Sequence, residues 1–207
     1  GMRGLLSEPV RVDVRAGPAH MVHLTLPSTA EPGDRVFATV AMLDVLGNAV
    51  RDWTGTLSLS STPSLKLPET VTISESGRAR VSVEVVGPGV SQVVVTTEEG
   101  WISRSNPMVV REGIESVLWG DLQIHSGRSD GTGTPAEVWD YARDVAGLDV
   151  AAITDHDHWG MRFLDATPQL WEEAKASSAP LHQLEGSRGQ VRPAFLSWEP
   201  QAGLKKL

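Results

Sequence analysis

The chain has 207 residues, of which 18 are Lys or Arg and 26 are Asp or Glu, for a formal net charge of -8 at pH 7. This acidic balance, without any basic run, argues against nucleic acid or a membrane surface as a partner. Cysteine is absent, so disulfides and thiolate ligands are excluded and a metal would need nitrogen and oxygen ligands. No signal peptide or transmembrane segment is visible, and the compartment is left unassigned.

The first half of the chain has the pattern of an antiparallel β-sandwich. From about Val10 to Arg111, apolar and polar residues alternate with a period of two, and turn residues interrupt the pattern at short intervals. The clearest strand alternates apolar Ala79, Val81, Val83 and Val85 with polar Arg78, Arg80, Ser82 and Glu84. One face of such a strand meets a core and the other meets water. We therefore expect a β-sandwich domain over residues 1–112.

The turns in this region resemble those of a known domain family. Asp34 to Leu43, followed by the turn Asp44 to Val50 and by Trp53 to Thr56, is similar to bacterial immunoglobulin-like domains of the invasin type. Ser105 to Pro107 fits the last strand of such domains. The resemblance implies an immunoglobulin-like fold for the first domain.

After a charged link from Arg111 to Ser116, the pattern changes to strands alternating with helices. Val117 to Ile124 is predicted to be a strand. Thr134 to Glu137 has the sequence of a capping box with proline at the first helical position, so a helix should begin there and end near Gly147. Asp149 to Thr154 is apolar without alternation, which is typical of a strand buried on both faces.

The same alternation continues toward the end of the chain. A second helix is expected from Thr167, and a third strand over Arg192 to Trp198. Strands that alternate with helices predict a parallel sheet. The predicted fold class is therefore multidomain, β followed by α/β, with about three βα units over residues 113–207.

Histidines and carboxylates follow the predicted parallel strands. His125, His156 and Glu199 stand at strand ends, and Asp130 lies in the loop after the first of these strands. Because the carboxyl ends of parallel strands open onto one side of a sheet, these residues should converge. Imidazole and carboxylate groups suit zinc, manganese or iron, so the sequence predicts a divalent metal site here.

The motifs that contain these residues resemble a known superfamily. Gly120 to Gly131 includes Asp-Leu-Gln-Ile-His-Ser and Ser-Asp-Gly, and Thr154 to Asp157 reads Thr-Asp-His-Asp. Both are similar to motifs of the polymerase and histidinol phosphatase (PHP) superfamily, in particular to members of unknown function that carry a β-sandwich before the metal domain. The resemblance implies a (β/α) barrel, up to three divalent metals and hydrolysis of a small phosphate-ester substrate.

Within this resemblance, His125, Asp130, His156 and Glu199 match the metal ligands of the family. Their counterparts hold Mn, Zn or Fe in complete members. No residue of this chain is assigned as catalytic.

Three further residues are expected to lie beside the ligands without binding metal. Gln123 stands where the family has a histidine, and an amide is a poor ligand for zinc or iron, so one metal should be weakened or lost. Asp155 is expected to orient His156. His158 could point back toward the metal or simply cap the loop.

The remaining histidines of the family pattern would lie beyond Leu207, where the sequence ends. The chain is therefore expected to be the truncated N-terminal portion of a PHP-type metal-dependent phosphoesterase, weakly active or inactive, with a partial barrel. The open edge of such a barrel would favour self-association. The alternative is a non-catalytic binding or assembly module that keeps a remnant metal domain.

Overall fold

The computed structural model describes residues 15–156 together with residues 172 and 176. The strands of the first half are β1 (Met21–Thr25), β2 (Thr29–Ala30), β3 (Arg35–Leu43), β4 (Gly55–Ser61), β5 (Leu65–Lys66), β6 (Thr70–Ile73), β7 (Arg78–Val85), β8 (Gly89–Ser91), β9 (Val93–Thr96), β10 (Ile102–Arg104) and β11 (Met108–Val110). They are followed by β12 (Gly120–Ile124), α1 (Pro135–Asp144) and β13 (Val150–Ile153). Of the predicted second helix only residues 172 and 176 are described, and both are helical. The predicted third strand lies outside the described residues.

The first half of the chain is a β-sandwich, as the period-two pattern predicts. One antiparallel sheet has the order β1-β3-β7-β5 and the other has the order β10-β9-β4-β6. A small third sheet, β2-β11-β8, contains the parallel pair of β11 with β2. Alternate residues of β7, namely Val81, Val83 and Val85, are buried in the core between the sheets. The alternation predicted for β7 is confirmed.

The alternation fails in the second half of β3, where every residue from Thr39 to Leu43 is buried. Val40 and Met42 join the core of the sandwich. Ala41 and Leu43 point the other way and pack against Val145, just after α1. A strand covered on both faces has no polar side for water, which explains the continuous apolar run.

Asp44 organises the turn that follows β3. Its Oδ1 accepts hydrogen bonds from the N–H groups of Leu46 and Asn48, at 2.9 and 2.8 Å. Its Oδ2 accepts from the Asn48 side-chain amide and from the N–H of Gly17, both at 2.9 Å. The hydrogen bond from the Asn48 side chain, followed by that from Gly17, lowers the pKa of Asp44 from 3.8 to about 2, against the opposing effect of desolvation.

The Asp44 turn should make the stability of the sandwich depend on pH. A carboxylate whose pKa is depressed in the folded state stabilises the fold above its unfolded pKa, and that contribution is lost as the pH falls from 3.8 to about 2. As the pH falls through this range, the Tm of the wild type should fall steeply and that of Asp44→Asn should fall less. Near neutral pH, Asp44→Asn should unfold at a lower temperature than the wild type. The exposed carboxylate of Asp52 provides the control, Asp52→Asn. An unchanged slope in Asp44→Asn would contradict this prediction.

The second half of the described chain is a βαβ unit. β12 and β13 are parallel, with Gly120 opposite Val150, and α1 crosses between them. Thr134 caps α1 by accepting a hydrogen bond from the N–H of Glu137, whose carboxylate accepts in return from the N–H of Thr134. The predicted capping box is confirmed. The chain leaves the helix through Gly147, whose φ of +66° is readily adopted only by glycine.

The predicted partial PHP-type barrel is corrected by this topology. A (β/α) barrel is built from parallel strands with helices outside. Within the described residues the strands are mostly antiparallel, and one βαβ unit, β12-α1-β13, is attached to the sandwich. The same described segments contain no apolar helix of bilayer-spanning length.

Charged and polar contacts join α1 to the sandwich around the apolar contact of Val145. Arg78 of β7 lies 3.4 Å from Asp140 and 3.6 Å from Asp144. The hydroxyl of Tyr141 donates to the carbonyl oxygen of Gly47 at 3.2 Å. These contacts hold the βαβ unit against the outer face of β3 and β7.

Candidate metal centre

The two predicted histidine ligands meet at one edge of the parallel pair. His125 directly follows β12, and His156 follows β13 by three residues. Because the strands are parallel, their carboxyl ends lie on the same side. The ring centroids of His125 and His156 are 4.5 Å apart, with the ring planes at 64°.

Asp130 brings a carboxylate between the two imidazoles. Its Oδ1 lies 2.7 Å from Nδ1 of His125, and its Oδ2 lies 3.5 Å from Nε2 of His156. Partial desolvation raises the pKa of Asp130, but the hydrogen bond with His125 and the charges of the two imidazoles, when protonated, lower it by more, so the pKa lies below its ordinary value.

The arrangement matches the requirements of a small divalent cation. Each of His125, Asp130 and His156 offers a ligand atom, and these atoms lie within 4.8 Å of one another. Ligand atoms that share one tetrahedral zinc ion at bond lengths of about 2.1 Å lie about 3.4 Å apart. The side chains of Asp130 and His156 are partly exposed to solvent, so an ion could reach them. The donor set of two imidazoles and one carboxylate is of the kind that suits zinc, manganese or iron.

The loop that carries His125 and Asp130 is folded tightly on itself. The N–H groups of Ser129 and Gly131 both donate to the carbonyl oxygen of Ser126 at 3.1 Å, and the N–H of Gly127 donates to the carbonyl oxygen of Gly133 at 2.7 Å. Gly131 has no room for a side chain, because a Cβ there would overlap the carbonyl oxygen of His125. The loop conformation thus depends on glycine at this position.

Asp155 contacts this loop. Its carboxylate accepts hydrogen bonds from the N–H and hydroxyl groups of Ser126 and from the hydroxyl of Ser129. The sequence predicts instead that Asp155 orients His156. Sequence reasoning missed both serines, although hydroxyl groups beside glycines in a loop commonly bond to nearby carboxylates.

Of the predicted residues not yet placed, the structure describes Gln123, which is not part of this cluster. Gln123 is exposed and lies at an irregularity in the β12–β13 pairing, where its N–H donates to Asp121. Glu199 and His158 lie outside the described residues, so their predicted roles stay predictions.

Comparisons with known proteins found similarity in part of the chain. No family model and no curated protein matches the sequence. Among solved structures, a β-glucuronidase from glycoside hydrolase family 2 is 15% identical over 46% of this chain and 12% of its own length, with a TM-score of 0.42. The Parabacteroides merdae β-glucuronidase is 16% identical over 46% of this chain and 13% of its own, with a TM-score of 0.39. The D00-D0 domain of intimin is 16% identical over 48% of this chain and 50% of its own, with a TM-score of 0.38.

These findings correct the family prediction. The interpretation of the chain as the N-terminal portion of a PHP-type phosphoesterase is wrong, because no family model matches the sequence and the sheets of the described residues are mostly antiparallel. The expected phosphate-ester substrate was implied by that family alone and loses its basis. The chain also spans only about an eighth of the two β-glucuronidases that it matches.

Proposed function

We propose that this chain is a non-catalytic binding or assembly module that associates with a second copy of itself. The observation that carries the proposal is Trp119, whose indole N–H is hydrogen-bonded although the residue is 60% exposed. An exposed tryptophan in a fixed position is typical of the anchor residues that dominate protein interfaces.

Several hydrogen bonds fix Trp119 in place. Its indole N–H donates to the hydroxyl of Ser28 at 2.7 Å, and its main-chain N–H donates to the carboxylate of Asp149 at 2.9 Å. Its carbonyl oxygen accepts from the N–H groups of Asp149 and Val150, at 2.8 and 3.1 Å. A ring ordered before binding loses little conformational entropy when a partner covers it.

Trp119 belongs to an exposed apolar segment. We call residues 117–122 the Trp119 segment; its exposed apolar members are Val117, Leu118, Trp119 and Leu122. Apolar groups concentrated in one exposed segment favour association with another surface.

The edge of β12 supports a second copy as the partner. Among the described strands, β12 pairs with β13 alone, and within that part of the chain no strand pairs with the main-chain N–H and C=O groups of its other edge. Open strand edges pair readily with other chains. Pairing of two β12 edges would also bring the Trp119 segments of the two copies close together.

Sedimentation velocity of the full chain over a concentration series tests this proposal. The wild type should dimerise reversibly, and Trp119→Ala should weaken the dimer at least thirtyfold, because loss of one anchor tryptophan costs about 2 kcal/mol or more and the dimer loses one from each copy. The control is Leu46→Ala, which removes a side chain that is equally apolar, is 84% exposed and lies outside the Trp119 segment. A wild type that stays monomeric, or an equal loss in both variants, would refute the proposal.

A second function, binding of a divalent cation, is favoured by the cluster of His125, Asp130 and His156. Two imidazoles with one carboxylate favour zinc, iron or manganese over magnesium or calcium, which prefer oxygen ligands. An ion held at the end of β12 and β13 would bridge the two strands and stabilise the βαβ unit.

Calorimetric titration of metal-free protein with Zn²⁺ and Mn²⁺ tests the cation site. The wild type should bind one ion per chain, and His156→Gln should weaken binding at least a hundredfold, because an amide replaces an imidazole ligand. His20→Gln, on an exposed residue before β1, should bind as the wild type does. Equal affinity of the wild type and His156→Gln would exclude this site.

A further inference from the structure

We infer that Asp155 is a positioning residue, which holds the loop carrying His125 and Asp130 in its ligand-bearing conformation before any ion binds. This inference rests on the proposed cation site. It assigns to Asp155 a role in setting the affinity of the site without contact with the ion.

The contacts of Asp155 converge on one side of the loop. Its Oδ1 accepts from the N–H of Ser126 and from the hydroxyl of Ser129, and its Oδ2 accepts from the hydroxyl of Ser126, each at 2.7 Å. Hydrogen bonds of this length to an ionised carboxylate are stronger than those between neutral groups. Asp155 therefore ties the end of β13 to the loop that follows β12.

Ser126 connects Asp155 to the rest of the loop through further hydrogen bonds. It is 0% exposed and lies next to His125 in the sequence. Its hydroxyl oxygen accepts from the N–H of Arg128 at 3.1 Å, and its carbonyl oxygen accepts from the N–H groups of Ser129 and Gly131. These bonds bracket Asp130, so the position of its carboxylate depends on how Ser126 is held.

The geometry also separates Asp155 from the ligands themselves. The cluster whose ligand atoms lie within 4.8 Å of one another contains His125, Asp130 and His156 but not Asp155. Both oxygens of Asp155 are already engaged by the two serines. Without these bonds, the ion would have to order the loop as it binds, and part of its binding free energy would be lost to that ordering.

The experiment combines ion titration with amide hydrogen exchange in the metal-free full chain. Asp155→Ala should weaken Zn²⁺ binding at least tenfold and abolish the exchange protection of the Ser126 amide. Asp155→Asn keeps an oxygen that can accept hydrogen bonds from Ser126 and Ser129. This variant should therefore keep most of the Zn²⁺ affinity and most of the exchange protection of the Ser126 amide. His156→Gln should lose ion binding but keep the Ser126 amide protected, a pattern that a general loss of structure would not produce.

The outcomes separate this inference from the proposed site. A wild type that binds no ion overturns the cation site and the role of Asp155 with it. A wild type that binds the ion, with affinity unchanged in Asp155→Ala, overturns the role of Asp155 alone. If Asp155→Ala does not fold, Ser129→Ala provides a second test, because it removes one of the three hydrogen bonds to Asp155 from the loop side. Ser129→Ala should weaken Zn²⁺ binding severalfold. Unchanged affinity in that variant would again overturn the inference.

Discussion

Replacing Gly131 with alanine should abolish ion binding while leaving the sandwich folded. A Cβ at this position would overlap the carbonyl oxygen of His125 and lie 3.0 Å from the main-chain nitrogen of Ser126, so the main chain of the loop must move. That movement displaces His125 and Asp130, which together supply two of the three ligands. Displacements of about 1 Å are enough to disable a metal site whose ligands must keep their geometry. We expect affinity for Zn²⁺ to fall at least a hundredfold in calorimetric titration.

The matched control is Thr132→Ala, which shortens an exposed side chain next to Gly131 in the same loop. It should bind the ion within about twofold of the wild type. Thermal unfolding of the sandwich should be similar in both variants, since the loop lies outside the sandwich core. Undiminished ion binding by Gly131→Ala would contradict the ligand set that we propose.

Gly77→Ala should destabilise the whole sandwich by about 3 kcal/mol, the sum of the roughly 1 to 2 kcal/mol for a left-handed conformation and a similar amount for overpacking. Gly77 has a φ of +63°. A Cβ there would overlap the carbonyl oxygen of Val50, and the carbonyl oxygen of Gly77 itself accepts from the N–H of Met42 at 2.8 Å. The main chain at Val50 and at Gly77 cannot move aside as easily as the end of a flexible side chain could.

Urea unfolding of the wild type, Gly77→Ala and Gly87→Ala measures this difference. A Cβ at Gly87 would meet no other atom within 4 Å, and the φ of Gly87 is not positive, so its alanine variant should stay within about 0.5 kcal/mol of the wild type. Similar free energies of unfolding for the two variants would show that the turn at Gly77 can relax.

The incorrect family prediction has a physical explanation. Residues that directly follow two adjacent parallel strands lie near one another in many βαβ units, because both carboxyl ends open onto the same side. The motifs containing His125 and His156 therefore report a local geometry, which β12 and β13 have. They carry no information about how many further βα units a fold contains.

Local patterns in the sequence were sufficient to predict several elements of the structure. The alternation over Arg78 to Val85 is enough to predict β7, because a strand between a core and water alternates side chains with a period of two. The capping box from Thr134 to Glu137 marks the start of α1, because its hydrogen bonds join residues only three positions apart. The placement of His125 and His156 after parallel strands was likewise enough to suggest that they meet.

Tertiary structure alone decided the features that depend on distant segments. The contact of Val145 with Ala41 and Leu43 joins residues about a hundred positions apart, and no periodicity within either segment specifies it. The pairing of Asp155 with Ser126 depends on how β12 and β13 pair with each other, and the position of Trp119 depends on how β12 packs beside the sandwich, where Ser28 accepts its indole N–H. Packing between remote surfaces follows from the sum of many weak contacts, which a short motif does not encode.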